Sequence, residues 1–218
     1  YDLDGNQLWQ LKGKSILERQ VEVLNNTGVK NIAVVRDYKK AAVDLPNLRY
    51  YDNDDFASSN ELVSLLCAKD ELHSAFVLLY GDLVFEEGLL QKLLKSPAAI
   101  TVLVDRSWDP QAEREDRGAP DLVMLEKAQE VGHRFVGAEQ PHKVKRIGSK
   151  LNVGEAHGEF VGLVLFDATG AAAVRELAAQ LEQEHSGAFH EAADLRSASV
   201  TDLLQELIDR GHDVQAVD

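Results

Sequence analysis

Residues 75–87 read AFVLLYGDLVFEE, and the fold prediction is built around this segment. Its first six residues are all apolar, which is the length and composition of a strand buried on both faces of a parallel sheet. The run stops at Gly81-Asp82, and a carboxylate at the end of such a strand lies where open α/β sheets bind their ligands. The glycine allows a phosphate to approach the backbone closely. The stretch therefore predicts a ligand site at Asp82, although a polar turn that only ends a strand explains the same two residues.

Similar apolar runs alternate with helical patterns along the rest of the chain. Strands are predicted at residues 31–35, 48–51, 98–104, 159–166 and 213–217, and helices at residues 15–28, 61–72, 88–95, 168–184 and 199–210. Ser15 and Glu18 form a capping-box sequence at the start of the first helix. This alternation predicts an α/β fold with a Rossmann-like, mostly parallel sheet flanked by helices.

The middle of the chain has a different pattern. Residues 105–119 are highly charged and contain a proline and a glycine, which predicts a mobile surface excursion. Residues 121–127, 132–136 and 143–147 alternate in polarity and predict antiparallel strands. Because no repeat or low-complexity linker interrupts the sequence, we expect residues 1–218 to form one domain with a small antiparallel insertion.

Composition limits the class of partner. The formal net charge of −14 argues against nucleic-acid binding, which requires a basic face, but it is compatible with a nucleotide substrate. No apolar run approaches the roughly 20 residues of a membrane span, so no membrane partner is expected. The single cysteine, Cys67, excludes an internal disulfide and lies in an apolar context typical of a core residue. We therefore expect a cytoplasmic protein.

Several well-known chemical motifs are missing from the sequence. It contains no GxxxxGK[ST] phosphate loop, no GxGxxG dinucleotide loop and no zinc-type cluster of cysteines and histidines. The seven histidines are scattered, and nothing resembles a nucleophile elbow. The candidate chemistry therefore rests on the polar residues that follow the predicted strands.

These strand-end residues include Arg36, Tyr38, residues 52–60, Asp82 and Asp105. Their convergence at one sheet edge describes a ligand crevice. Asp82 suits Mg²⁺, which binds few protein carboxylates and keeps water and phosphate in the rest of its shell. The acidic run at residues 52–55 is a rival metal site by count, but we favour a solvated loop that turns and caps.

Three segments together carry a family resemblance: GKSILERQVEVLNNTGVKNIAVVRDYKK at residues 13–40, LRYYDNDDFASSNELVSL at residues 48–65 and FVLLYGDLVF at residues 76–85. The sequence resembles the sugar-phosphate and choline-phosphate nucleotidyltransferases. It is most similar to the cytidylyltransferase-type domain that occurs with phosphoenolpyruvate phosphomutase in phosphonate biosynthesis. HGEFVGLVLF at residues 157–166 and LLQELIDRGHDVQAV at residues 203–217 extend the resemblance over most of the chain.

The resemblance implies transfer of CMP from CTP, or of another nucleoside monophosphate, to a phosphonate or phosphate such as 2-aminoethylphosphonate. It implies that Asp82 binds Mg²⁺ and that Glu159 contacts the acceptor, opposite an ammonium group where the acceptor has one. The nucleotide pocket would include Ser59, Asn60, Ser64 and Gly81. Helix capping is an equal alternative for Asn60 and Ser64.

The sequence departs from the family pattern at both ends. The family has a glycine-rich LAAGxGxR loop and a Pro-Lys before the segment that matches Gly13-Lys14, and an acidic metal-binding segment after the last strand; the 218 residues contain neither. Either both segments lie outside these 218 residues, or the domain has lost catalysis. The alternative function is therefore a degenerate, non-catalytic domain that binds a nucleotide or assembles with the mutase. For either function, the expected partners are a second copy in a homo-oligomer or a covalently linked mutase domain. A glycosyltransferase is disfavoured because Val84, not a second aspartate, follows Asp82 by two positions.

Overall fold

The computed structural model of the protein describes residues 10–11, 13–109, 119–126, 142–184 and 186–218. The helices are α1 (Ile16–Asn26), α2 (Glu61–Cys67), α3 (Glu87–Leu94), α4 (Ala168–Glu184) and α5 (Val200–Asp209). The strands are β1 (Gln10–Leu11), β2 (Lys14–Ser15), β3 (Ala33–Arg36), β4 (Arg49–Asp52), β5 (Phe76–Leu79), β6 (Ile100–Asp105), β7 (Leu122–Leu125), β8 (His142–Gly148), β9 (Gly158–Phe166) and β10 (Val214–Val217).

The main sheet has six strands in the order β5-β9-β6-β10-β8-β7, and β7 also pairs with β9. β10 is parallel to β6, whereas β9 is antiparallel to both of its neighbours, β5 and β6. A separate parallel pair is formed by β3 and β4. The predicted α/β class is confirmed, but most hydrogen-bonded neighbours in the main sheet are antiparallel. An apolar run predicts a strand; it does not show which strand inserts beside it.

Two apolar cores cover the two faces of the main sheet. On β6, Ile100, Val102 and Val104 face one core, whereas Leu103 faces the other, as the two-residue period of a strand requires. The first core receives buried residues of α2, α4 and α5, and the second receives those of α1 and α3. The predicted helices on both faces are therefore present.

Local caps fix the starts of two helices. The Ser15 hydroxyl accepts a hydrogen bond from the Glu18 backbone N–H at 3.2 Å, and the Glu18 carboxylate accepts one from the Ser15 N–H at 2.6 Å. Ser199 and Asp202 form the same reciprocal pair at the start of α5. Both caps satisfy backbone donors that a helix leaves unpaired in its first turn.

Other elements differ in extent from their predictions. The helix predicted at residues 61–72 ends at Cys67, which is only partly buried, and a short 3-10 turn follows at Lys69–Glu71. The antiparallel strands predicted near residues 121–127 and 143–147 are present as β7 and β8. The strand predicted at residues 132–136, and residues 110–118 of the predicted mobile excursion, lie outside the described residues. No helix in the described part of the chain is long and apolar enough to cross a membrane.

The predicted burial of β5 on both faces is wrong. All four residues of β5 are partly exposed, although each is apolar. Among the described residues, β5 pairs only with β9 and β3 pairs only with β4. The other side of β5 faces a cavity, which explains why its side chains keep contact with solvent.

Candidate functional site

Acidic residues gather at one edge of the main sheet. Because β5, β6 and β10 run in the same direction, the residues at or just after their carboxyl ends, Asp82, Asp105 and Asp218, share an edge. β9 runs the opposite way and begins at this edge, where Glu159 is the register partner of Asp105. The structure therefore brings together the strand ends from which the sequence predicts a site.

These carboxylates differ in their partners. Asp218 forms ion pairs with Lys92 at 3.5 Å and Arg106 at 3.6 Å. The Asp105 carboxylate accepts hydrogen bonds from the Ser107 N–H at 2.8 Å and the Ser107 hydroxyl at 2.6 Å. Asp82 is exposed and forms no hydrogen bond or ion pair with another described residue. Asp82 is therefore available to a ligand.

A buried glutamine holds the turn that carries Asp82. The Gln20 side chain is 4% exposed, and its Nε2 donates to the Tyr80 carbonyl at 2.9 Å and to the Leu83 carbonyl at 2.8 Å. These two carbonyls flank Gly81-Asp82, and the Leu83 N–H also donates to the Tyr80 carbonyl at 3.4 Å. Gln20 on α1 thereby fixes the position of the Asp82 turn. Sequence reasoning missed this contact, because Gln20 interrupts the apolar face of α1 without any motif.

A second buried amide organises the polar loop after β4. The Asn53 side chain is 3% exposed, and its Nδ2 donates to the hydroxyl oxygens of Ser59 and Ser64, each at 3.0 Å. Its Oδ1 accepts from the Asp55 N–H at 3.0 Å. The two predicted pocket serines are therefore held together by a residue to which the sequence analysis gave no role. The YDN segment in the family motif was the available signal.

Asn60 lies at the start of α2 but does not cap it with its side chain. Its Nδ2 donates to the Ser197 carbonyl at 3.2 Å, and its backbone N–H donates to the Arg196 carbonyl at 2.8 Å. Ser64 lies within α2 and contacts Asn53, so its side chain is not a cap either. The capping alternative is wrong for both side chains, because tertiary partners compete for their polar atoms.

The rival acidic run is paired with cations. Asp52 contacts Arg36 at 3.0 Å and Lys40 at 3.2 Å, and Lys40 also contacts Asp54 at 2.6 Å. The hydrogen bond from Arg36 is the main cause that lowers the pKa of the Asp52 carboxyl. This arrangement agrees with the predicted solvated turn and not with a metal site.

A cavity of about 1470 Å³ lies between β3 and β5 and reaches the Asp82 turn. Its lining includes every predicted nucleotide-pocket residue together with Asp82: Ser59, Asn60, Ser64, Gly81 and Asp82. Glu159 is not among the lining residues. The volume exceeds that of an ordinary small-molecule pocket, about 300–1000 Å³. The lining also includes apolar residues of α1, β3 and β5, so the polar residues border only part of this volume.

Three ionisable side chains near this cavity have perturbed pKa values. Burial raises the pKa of Glu61, and the carboxylates of Asp202 and Asp82 act in the same direction. Burial, followed by the charge of Glu61, raises the pKa of Asp121 to about 6. Burial raises the pKa of Tyr80 well above its usual value. Such a cluster of perturbed pKa values is typical of functional sites, and no sequence motif indicates it.

A divalent metal fits this site only in part. Within the described ranges, no group of three or more His, Cys, Asp or Glu side chains could hold a metal ion. Mg²⁺ does not require such a cage, since one or two carboxylates plus substrate phosphates and water complete its shell. The unpaired, exposed Asp82 fits that limited role beside a bound triphosphate.

Sequence comparisons show that the chain is similar to known nucleotidyltransferases. Residues 6–112, nearly half of the chain, match the family model of the MobA-like NTP transferase domain. The chain is 24% identical to the CTP:phosphoglutamine cytidylyltransferase of Campylobacter jejuni, with 96% of this chain and 82% of that protein covered. It is 29% identical to the CMP-5'-(3-aminopropyl)phosphonate synthase of Streptomyces rubellomurinus over 55% of this chain and 20% of that protein.

A solved structure gives the fold. The inositol-1-phosphate CTP transferase from T. maritima superposes with a TM-score of 0.67 at 15% identity, covering 98% of this chain and 76% of that chain. The fold is that of the nucleotidyltransferases, the nucleotide-diphospho-sugar transferase type, as predicted. The chain is thus similar in sequence to a cytidylyltransferase, whereas the link to phosphoenolpyruvate phosphomutase stays a prediction.

Proposed function

We propose that this chain is a nucleotidyltransferase domain that transfers CMP from CTP to a small phosphonate or phosphate, such as 2-aminoethylphosphonate. Similarity to a cytidylyltransferase and to a CMP-phosphonate synthase supports the reaction class. One observation carries the proposal. The turn anchored by Gln20 presents an unpaired Asp82 to the cavity that also contains the serines held by Asn53.

The reaction is an in-line displacement at the α-phosphorus of CTP. An acceptor oxyanion forms the new P–O bond while the bond to the bridging oxygen breaks, and pyrophosphate leaves with that electron pair. Because a phosphonate already carries negative oxygen at neutral pH, positioning and electrostatics supply most of the catalysis. Mg²⁺, when held by Asp82, would neutralise charge on the phosphates.

The chain's own residues would bind and orient the substrates. Asn53 already donates to the hydroxyl oxygens of Ser59 and Ser64, and the Ser59 hydroxyl donates to the Asp55 carbonyl at 3.0 Å. The Ser64 hydroxyl proton can therefore be directed to a nucleotide oxygen. Gly81 and Asn60 would line the nucleotide pocket, and Glu159 would contact the acceptor.

We also infer the wider setting of this activity. Residues 1–218 would form a single nucleotidyltransferase-like domain of phosphonate biosynthesis, attached to a phosphoenolpyruvate phosphomutase. Similarity to the phosphonate synthase supports a phosphonate acceptor. Co-purification of the native polypeptide with mutase activity would test the attachment.

Calorimetric titration with CTP, UTP and ATP in the presence of Mg²⁺ tests the proposed function. We expect selective, Mg²⁺-dependent binding of CTP, followed by pyrophosphate release when 2-aminoethylphosphonate is added. Asp82→Ala should weaken CTP binding tenfold or more while the free energy of unfolding changes by less than about 1 kcal/mol, as for exposed polar substitutions. The matched control is Asp44→Ala, an exposed aspartate outside the cavity lining, which should bind CTP normally.

A binding-only domain is the second candidate function. One observation favours it. The described residues contain no group of three or more His, Cys, Asp or Glu side chains that could hold a metal ion, so Asp82 is not part of such a group. This candidate predicts nucleotide binding without pyrophosphate release. Transfer of CMP would exclude it, whereas a large loss of stability in Asp82→Ala with unchanged CTP binding would make Asp82 structural.

A further inference from the structure

Two buried polar atoms near the candidate site have no hydrogen-bond partner among the described residues. They are Oε2 of Glu61 and the hydroxyl oxygen of Tyr80. Both residues line the cavity that contains Asp82. An unpaired polar atom in the interior costs about 1–3 kcal/mol, and more when it is charged, so such an atom indicates a partner that the described residues do not supply, such as a ligand or an ordered water.

The backbone around Glu61 is fixed from both sides. Glu61 is the first residue of α2, and the preceding Asn60 N–H donates to the Arg196 carbonyl at 2.8 Å. The following Leu62 N–H donates to the Ala198 carbonyl at 3.2 Å. These two bonds hold the start of α2 against the segment that leads into α5, so Glu61 cannot easily withdraw into solvent.

Tyr80 is held equally firmly at the end of β5. Its ring packs edge-on against Phe160, with 5.9 Å between the ring centroids. Its N–H donates to the Gly162 carbonyl at 2.9 Å, and Gly162 has no side chain where the ring lies. The ring therefore packs against β9, and this packing holds the hydroxyl group in place.

A third acidic group lies behind this pair. The Asp121 carbonyl accepts from the Phe160 N–H at 2.7 Å, and its carboxylate accepts from the Thr201 hydroxyl at 3.3 Å. Phe160 links Asp121 to Tyr80. Burial is the main cause that raises the pKa of each of the three groups, and the charge of Glu61 raises the pKa values of Tyr80 and Asp121 further. The region therefore accumulates negative charge that a bound cation would relieve.

We propose that Glu61 and Tyr80, with Asp121 behind them, bind the ammonium group of an amine-bearing phosphonate or phosphate acceptor. This inference rests on the proposed function and names the class of acceptor. An ammonium group has three donors and no acceptor, so it can satisfy Glu61 Oε2 and the Tyr80 oxygen together. A hydroxyl or methyl group at the same place would leave the carboxylate charge uncompensated.

In this proposal Glu61, and not Glu159 as the family resemblance implies, is the carboxylate opposite the ammonium group. Glu159 lies on β9 and is not among the cavity-lining residues, whereas Glu61 lines the cavity and has a buried oxygen without a partner. In this arrangement the phosphonate end of the acceptor lies towards Asp82 and its ammonium end towards Glu61.

Direct binding of two matched ligands tests the inference. Calorimetric titration with 2-aminoethylphosphonate and with ethylphosphonate, which lacks only the amine, should give at least tenfold tighter binding of the amine, as expected for a charge-assisted hydrogen bond. Glu61→Gln should abolish most of this preference, and Tyr80→Phe should reduce it. Glu176→Gln, an exposed glutamate on α4, is the matched control and should retain it.

The outcomes separate this inference from the proposed function. Equal binding of the two ligands, no binding of the amine at millimolar concentration, or an unchanged preference in Glu61→Gln would overturn the ammonium site. If CTP still binds and CMP is transferred to ethylphosphonate, the proposed function survives that failure. If the amine preference depends on Glu61 but no nucleotide binds, the ammonium site stands and the proposed function fails. Should Glu61→Gln not fold, Tyr80→Phe provides the same test.

Discussion

At the scale of single residues, two buried amide side chains organise the candidate site. Gln20 joins α1 to the Asp82 turn, and Asn53 joins the loop after β4 to two serines. Both are at most 4% exposed, and each donates to at least one residue that lines the cavity: Gln20 to Tyr80, and Asn53 to Ser59 and Ser64. Amides suit this role because they donate hydrogen bonds without adding a charge that would itself require a partner.

Replacement of Gln20 by leucine tests the anchoring of the Asp82 turn. Gln20→Leu nearly preserves volume but leaves the Tyr80 and Leu83 carbonyls without their side-chain donor. We expect a loss of about 1–3 kcal/mol in the free energy of unfolding. Mg²⁺-dependent CTP affinity should fall severalfold in the folded variant, because Asp82 is no longer held in position.

Denaturant titration and calorimetry measure the two effects of Gln20→Leu separately. Gln91→Leu, on the exposed face of α3, is the control and should change stability by less than about 0.5 kcal/mol. Full CTP affinity in a destabilised Gln20→Leu protein would show that the turn keeps its position without Gln20.

At the scale of elements, the pairing of β9 shapes the cavity wall. The register between β6 and β9 shifts between Val102 and Val104, and Gly162 of β9 lies in this irregularity with a φ of 85°. A Cβ atom on Gly162 would overlap the ring of Tyr80. The bulge therefore re-aims β9 locally and makes room for the tyrosine that ends β5.

Gly162→Ala is expected to destabilise the β5–β9 pair. A left-handed backbone costs a non-glycine residue about 1–2 kcal/mol, and overpacking against Tyr80 adds about 1–3 kcal/mol. Thermal or chemical unfolding should therefore show a loss of at least about 2 kcal/mol. Gly88→Ala is the control, because its Cβ would meet nothing within 4 Å and it lies in α3, where alanine is the better helix former. A neutral Gly162→Ala would mean that β9 can relax.

At the scale of the whole molecule, the fold brings together acidic groups that lie far apart in a chain of net charge −14. Asp121 is the clearest case, because burial and the charge of Glu61 raise its pKa to about 6, while the hydrogen bond from Thr201 acts in the opposite direction. An aspartate in an unfolded chain has a pKa of about 3.9. Between these values the folded protein retains a proton that the unfolded chain has released.

The free energy of unfolding should therefore fall as the pH rises from about 4 to about 6 through the Asp121 contribution. Asp121→Asn removes this contribution while an oxygen can still accept from Thr201. Between pH 4 and pH 7, we expect the free energy of unfolding of the variant to rise relative to that of the wild type by up to about 3 kcal/mol. Denaturant titrations at a series of pH values measure the difference, and a difference that stays constant with pH would contradict the prediction.

Local signals in the sequence determined most of the elements. The apolar periods of β6, β9 and α4, and the Ser15 and Ser199 caps, involve residues within one element or one helical turn, so their pattern is visible without a structure. The placement of Asp82 after an apolar strand also followed from the sequence. Helix ends were less accurate, since the last turn of α2 depends on its packing.

The tertiary structure alone decided how the site is assembled. The insertion of β9 between β5 and β6, the anchoring of the Asp82 turn by Gln20, and the pairing of Asn53 with two serines all join residues from different elements. The unpaired atoms of Glu61 and Tyr80 likewise become apparent only when burial is known. The physical reason is that hydrogen bonds and burial between distant segments leave no periodic trace in the chain, whereas helices, strands and caps are set by neighbouring residues.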